Sequence, residues 1–221
     1  MKKDKKVFDS VSFRKPQYSS FDLSHEKKLS MNMGKLIPIY LQEVVPGDQI
    51  KVKTEAMIRM SPLVAPVMHR VNCFIHYFFV PNRITWSSWE DFITGGREGT
   101  TTPTMPTASL GSGMRTEGSL VDYLGLPTAS SPGFMDVGLL PFYAYQQIVN
   151  DYYIDANLQD PNDYTDSTST YLEARTLRDR CWEKDYFTSA LPWLQRGPEV
   201  DLPFTPETIR LVEDDGTTDA A

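Results

Sequence analysis

The sequence predicts a mainly β chain built around one wall of a β-sandwich. Three runs carry that prediction, each closed by turn residues: KLIPIYLQEVV before PGD, QIKVKTEAMIRM before SP, and VNCFIHYFFV before PNR. The middle run alternates without a break. Ile50, Val52, Thr54, Ala56, Ile58 and Met60 share one face, and Lys51, Lys53, Glu55, Met57 and Arg59 share the other. That period of two marks a half-buried strand.

The first strand is predicted at residues 35–45, where Pro38 has no N–H for a ladder and so suits an edge or a strand start. Pro46-Gly47-Asp48 is a turn because Pro presets φ and Gly tolerates positive φ. The second strand, 49–60, stops at Ser61-Pro62. The third, 71–80, sets Asn72 and His76 against Val71, Cys73, Ile75 and Tyr77, then ends apolar on both faces at Phe78, Phe79 and Val80. Such an ending predicts cover on both sides. Ser87 and Glu90 stand at capping-box spacing, Trp89, Phe92 and Ile93 share a helical face, and Gly95-Gly96 ends the predicted short helix.

Beyond residue 96 the character changes. Residues 97–118, rich in Thr, Pro, Gly and Ser, read as a long loop, and 119–126 as a short helix stopped at Pro127. Phe142, Tyr145, Val149 and Tyr152/Tyr153 recur at helical spacing and predict a helix over 140–153. A polar loop over 155–169 and a helix over 171–183 follow, then a proline-rich 191–206 that suits neither helix nor strand and an acidic end. The organisation is a basic extended arm (1–34), strands with a short helix (35–94), and a long insertion of loops and short helices (95–221).

Three strands cannot close a sandwich, which takes roughly seven or eight, and left alone they expose unpaired edges. The β-domain is therefore expected to be incomplete, its other strands coming from a longer parent chain or from another chain.

At 221 residues, 40% hydrophobic and 12% aromatic, the chain is not disordered throughout. A globular chain of this length buries roughly 70–75% of its unfolded surface in one large domain or two small ones. The net charge of -7 is uneven: residues 1–35 hold nine Lys/Arg and four Asp/Glu, a balance of +5, which leaves -12 on the rest. No apolar stretch follows the amino-terminal charges as in a signal peptide, and no run approaches the roughly 20 apolar residues that span a bilayer. The expectation is a soluble protein made in a cytoplasm, with no membrane partner. Cys73 and Cys181 are expected to be buried thiols in a reducing compartment, with one disulfide left open.

No catalytic constellation emerges, and neither a metal nor another cofactor is expected. His25, His69 and His76 are scattered and lack acidic partners at ligand or triad spacing. Asp22, Ser24 and His25 have triad residue types, but neighbours in an extended arm do not converge on one reacting atom. The segment from Asp160 to Asp166 resembles a calcium loop yet has Thr165 where Gly is needed and Tyr171 where Glu is needed. That leaves at most an opportunistic divalent ion. The one nucleic-acid footprint is Lys2, Lys3, Lys5, Lys6, Arg14 and Lys15, with Phe8, Phe13 or Tyr18 able to stack on single-stranded bases. The same cations equally suit a solubilising tail or contact with acidic patches on neighbouring subunits.

FDLSH, MGKLIPI, the PGD turn, AMIRMSPL, FFVPNR and WEDFITGG follow one another in an order that resembles the major capsid protein of microviruses, the gokushovirus-like branch in particular. PFYAYQQIVNDYYID and RCWEKDYFTSALPW extend the resemblance, which covers residues 21–204. It implies a viral jelly roll, an eight-stranded antiparallel sandwich with long helical and loop insertions, of which this chain carries the first strands and a large insertion. It also implies a coat subunit that assembles with its own copies into an icosahedral shell around single-stranded DNA. Internal scaffolding and minor virion proteins would be further partners, and the virion its location after assembly in the host cytoplasm. On that reading Phe8, Phe13, Phe21, Trp86 and Trp89 are expected to contact neighbouring subunits. The alternative is a β-sandwich carbohydrate- or receptor-binding module, with exposed Trp86 and Trp89 stacking on sugar rings.

Overall fold

The computed structural model describes Arg14 and residues 16–128, 133–164 and 174–191. The chain divides into two units, one through Arg180 and one from Cys181 onward. In chain order the first unit contains α1 (Asn82–Thr85), α2 (Trp89–Thr94), β1 (Thr107–Leu110), α3 (Leu120–Tyr123), β2 (Met135–Gly138) and α4 (Leu140–Ile148). A π-helical turn, Val149–Tyr153, continues α4.

The core sits on β1 and β2, which pair antiparallel with Ala108 opposite Val137 and Leu110 opposite Met135. Alternation along β1 turns Ala108 and Leu110 inward while Thr107 and Ser109 face out. On α4, Phe142, Tyr145 and Gln146 are buried at three- and four-residue spacing, one stripe of a helix laid on the sheet. Pro141 lies in the first turn, where no helical bond is lost. Leu120 and Val121 of α3 and Val149 of the π turn complete the cluster. Burying each Leu, Val or Phe side chain contributes on the order of 1.5–3 kcal/mol.

Several expectations hold locally. Asp48 N–H donates to the Val45 carbonyl at 3.1 Å across the Pro-Gly-Asp turn, with Gly47 at φ 96°. Helix α3 starts at Ser119, whose Oγ accepts from Asp122 N–H at 3.4 Å. Gly95 ends α2 in the left-handed region.

Others are corrected. The three runs at 35–45, 49–60 and 71–80 form no ladder among the described residues; only Lys35 makes a bridge, to Asp179. The second run lies with its apolar face open, Ile50, Val52, Ile58 and Met60 all exposed. The described sheet instead lies partly within the stretch expected to be a loop, 97–118, where four alternating residues suffice once β2 stands beside them. Phe79 is 77% exposed, so the end of the third run is not covered on both sides. The capping box at Ser87 is absent: α2 begins after Ser88 and has no side-chain cap bond. The helix expected over 171–183 is not formed from 176 on, because Asp179 is drawn into the bridge with Lys35; residues 171–173 lie outside the described residues. Cys73 is an exposed thiol rather than a buried one.

Candidate assembly surfaces

Residues 27–36, which lead into the first run, meet α3, α4 and residues 178–180. Leu36 N–H donates to the Arg178 carbonyl at 3.0 Å and Arg180 N–H to Gly34 at 2.7 Å. The Tyr145 hydroxyl donates to the Leu36 carbonyl and accepts from Arg178 N–H, both at 2.9 Å. Burial pushes that phenol up to about 12. Beside it, fully buried Gln146 donates to the Ala174 carbonyl at 3.0 Å and the Thr176 carbonyl at 2.9 Å, and accepts from Arg178 Nε at 3.0 Å. Lys35 Nζ lies 2.6 Å from Asp179 Oδ1. Further back, Lys27 Nζ donates to the Tyr123 carbonyl and the Tyr123 hydroxyl to the Ser30 carbonyl. Residues 27–36 are thus strapped to the core through Tyr123, Tyr145 and the bridge at Asp179.

A second set of contacts docks the third run. Phe74, His76 and Phe78 alternate onto one face, and His76 stacks on Tyr153 with ring centroids 5.9 Å apart. His76 Nδ1 lies 2.7 Å from the Tyr153 hydroxyl, and Phe78 meets Tyr152 edge-on at 5.3 Å. Arg180 Cζ sits 5.1 Å from the Phe74 ring centroid, a cation–π contact. Tyr77 bonds to Thr54 on the second run. The opposite face of the third run and most of the second are exposed, Met57 to 88%.

In the second unit, Asp185 organises a turn. Its Oδ1 accepts from Thr188 N–H at 2.7 Å, Phe187 N–H at 2.9 Å and Thr188 Oγ1 at 2.9 Å. These bonds, the Thr188 amide foremost, hold its carboxyl below the usual carboxylate value. The turn presents Trp182, Tyr186 and Phe187 to solvent.

Of the residues expected to meet nucleic acid, Arg14 is exposed, while Lys2, Lys3, Lys5, Lys6 and Lys15 lie outside the described residues. So do Phe8 and Phe13. Phe21 is exposed to 81%. Trp86 and Trp89 are half-buried, not exposed, and close a cluster with Phe92 at 5.4 and 5.9 Å. The two indoles also meet each other edge-on at 6.3 Å. Sequence reasoning missed Gln146, Tyr123 and the strap; residues up to 109 positions apart leave no local periodicity to find.

Residues 10–216 match the family described as capsid protein (F protein). The chain belongs to that family. It is 36% identical to capsid protein VP1 of Chlamydia phage 1, over 91% of this chain and 37% of that protein. Identity to capsid protein VP1 of Bdellovibrio phage phiMH2K is 34%, over 84% of this chain and 35% of that one. To capsid protein VP1 of Spiroplasma virus 4 it is 30%, over 83% and 36%. These are microviruses, as the motif order implied. The capsid-family chain spans a little over a third of the length of these curated relatives. Its family is structural rather than enzymatic and places it in the virion. No described helix is long and apolar enough to cross a membrane.

Proposed function

We propose that this chain supplies the first strands and the first large insertion of a viral jelly-roll coat subunit. Residues 35–45, 49–60 and 71–80 become ladder strands when the remaining strands of the sandwich are present, and the β1–β2–α4 body is the insertion that positions them. Copies of the completed subunit tile an icosahedral shell around single-stranded DNA, with scaffolding and minor virion proteins as further partners during assembly in the host cytoplasm. The observation that carries this reading is the unpaired second run, with an unbroken two-residue alternation and exposed Ile50, Val52, Ile58 and Met60 on one face. A single chain gains nothing from that surface; a sheet does.

Phe8, Phe13, Phe21, Trp86 and Trp89 are proposed to contact neighbouring subunits, Trp86 and Trp89 as one packed cluster. Lys2, Lys3, Lys5, Lys6, Arg14 and Lys15 are proposed to contact the packaged DNA. Expression of the full-length coat protein with its virion partners, followed by electron microscopy and sedimentation, tests the assembly. Closed particles are expected; a stable compact monomer under the same conditions overturns the reading. Deletion of residues 2–15 is expected to lower DNA content per particle, and unchanged packaging removes the arm from that role.

A further inference from the structure

The strap leaves a cleft of about 310 Å³ between residues 25–27, the first run and α3, lined by His25, Lys27, Tyr40, Leu41, Tyr123 and Leu124 among others. Its size is at the lower end of small-ligand sites, roughly 300–1,000 Å³. Lys27 Nζ is partly covered and spends one N–H on the Tyr123 carbonyl at 2.8 Å. An ammonium has three donors, and the other two meet no acceptor among the described residues. No carboxylate there lies at ion-pair distance from Lys27, although Asp122 contributes a longer-range attraction. Partial burial lowers the Lys27 pKa, and the Asp122 charge opposes that shift.

The other half of the cleft is aromatic. The His25 and Tyr40 rings lie 4.8 Å apart at 37°. Each is oriented by its own bond: His25 Nδ1 to the Leu23 carbonyl at 3.0 Å, and the Tyr40 hydroxyl to Gln42 Oε1 at 2.8 Å. A carbonyl can only accept, so Nδ1 is the donor in the His25 bond. One open cation beside two oriented rings and apolar Leu41 and Leu124 fits a phosphate joined to a flat heterocycle.

We propose that this cleft binds one nucleotide of a single-stranded nucleic acid, its phosphate on Lys27 and its base against the His25–Tyr40 pair. The polymeric source rests on the coat-subunit reading; the cleft chemistry does not.

Binding of a short oligothymidylate to the full chain, measured by fluorescence anisotropy across a salt series with thymidine monophosphate and inorganic phosphate as competitors, tests it. Lys27→Met is expected to flatten the log–log salt dependence by about 0.7, the share of one single-strand phosphate, and Lys27→Arg to restore it. Tyr40→Ala, which removes an exposed ring and its bond to Gln42 without touching the Lys27–Tyr123 bond, is expected to weaken binding about fivefold or more. It keeps the test valid if loss of the Lys27–Tyr123 bond harms folding. Unchanged affinity and slope in Lys27→Met and Tyr40→Ala overturn the proposal. So does competition by inorganic phosphate equal to that by the monophosphate, since the base then contributes nothing. Monophosphate binding as tight as the oligomer's overturns the polymeric source. Particle formation by the unaltered full-length protein reports separately on the coat reading.

Discussion

The Tyr145 hydroxyl stands between the Leu36 carbonyl and the Arg178 amide, 2.9 Å from each, and completes a strand pairing that the backbone alone leaves half made. Leu36 N–H reaches the Arg178 carbonyl directly at 3.0 Å. In an ordinary antiparallel pair the reverse bond would follow; here a helix side chain inserts into it. The start of the first run is thereby pinned to α4.

Tyr145→Phe keeps the ring and removes the bridge. Two half-buried backbone groups lose their partner, a cost of about 1 kcal/mol. Hydrogen exchange at Arg178 N–H is expected to accelerate, while Arg180 N–H, bonded to the Gly34 carbonyl, changes less. Equal acceleration at both would mean that the whole pairing, and not the bridge, had been lost.

The same phenol makes the pairing sensitive to alkali. Its value is raised from an ordinary 10.0 to about 12 by burial, so the folded chain holds the neutral form. That contribution is complete below pH 10 and is lost as pH rises from 10 through 12. A phenolate absorbance titration is expected to show Tyr145 ionising late, together with loosening of residues 34–36. Ionisation of every tyrosine near 10 contradicts the buried bridge.

Gln146 carries three of the bonds that hold residues 174–178 to α4. Gln146→Leu fills the volume but leaves two carbonyls and a guanidinium short of a partner, and is expected to destabilise the first unit by about 2–4 kcal/mol. Urea denaturation of variant and parent measures it. A change within about 0.5 kcal/mol, the range of ordinary surface substitutions, would show that water replaces the side chain without penalty.

At the end of α2, Gly95 has φ 79°, and a Cβ placed there would lie 3.0 Å from the Gly99 backbone. Gly95→Ala combines left-handed strain of about 1–2 kcal/mol with a clash that only backbone movement relieves. Tryptophan fluorescence from the Trp86–Trp89–Phe92 cluster is expected to shift as the helix end frays. An unaltered spectrum and unaltered stability would contradict this.

What was legible in the sequence was local. Pro46-Gly47-Asp48 encodes its turn in three adjacent residues, and α4 shows itself through Phe142, Tyr145 and Val149 at helical spacing. The π turn after Ile148 was not visible, since one extra residue per turn hardly disturbs that spacing. β1 is only four residues long and follows Pro103 and Pro106, so turn signals concealed it; its partner is 31 positions from Thr107 to Gly138. From 176 on, the helix expected over 171–183 gives way for a non-local reason, the backbone pairing of 178–180 with 34–36. Trp86 and Trp89 stand out in the sequence by type, but their half-burial in one cluster with Phe92 does not. Lys27 was missed because its meaning depends on Tyr123 and Tyr40, which only the fold brings near.

The central claim is that residues 49–60 and 71–80 are strands awaiting partners. Hydrogen exchange of these amides, compared between the isolated 221-residue chain and particles of the full-length coat protein, tests it most directly. The account predicts fast exchange in the isolated chain and strong protection in the particle, alternating with the ladder pattern. Equally fast exchange in both would contradict it.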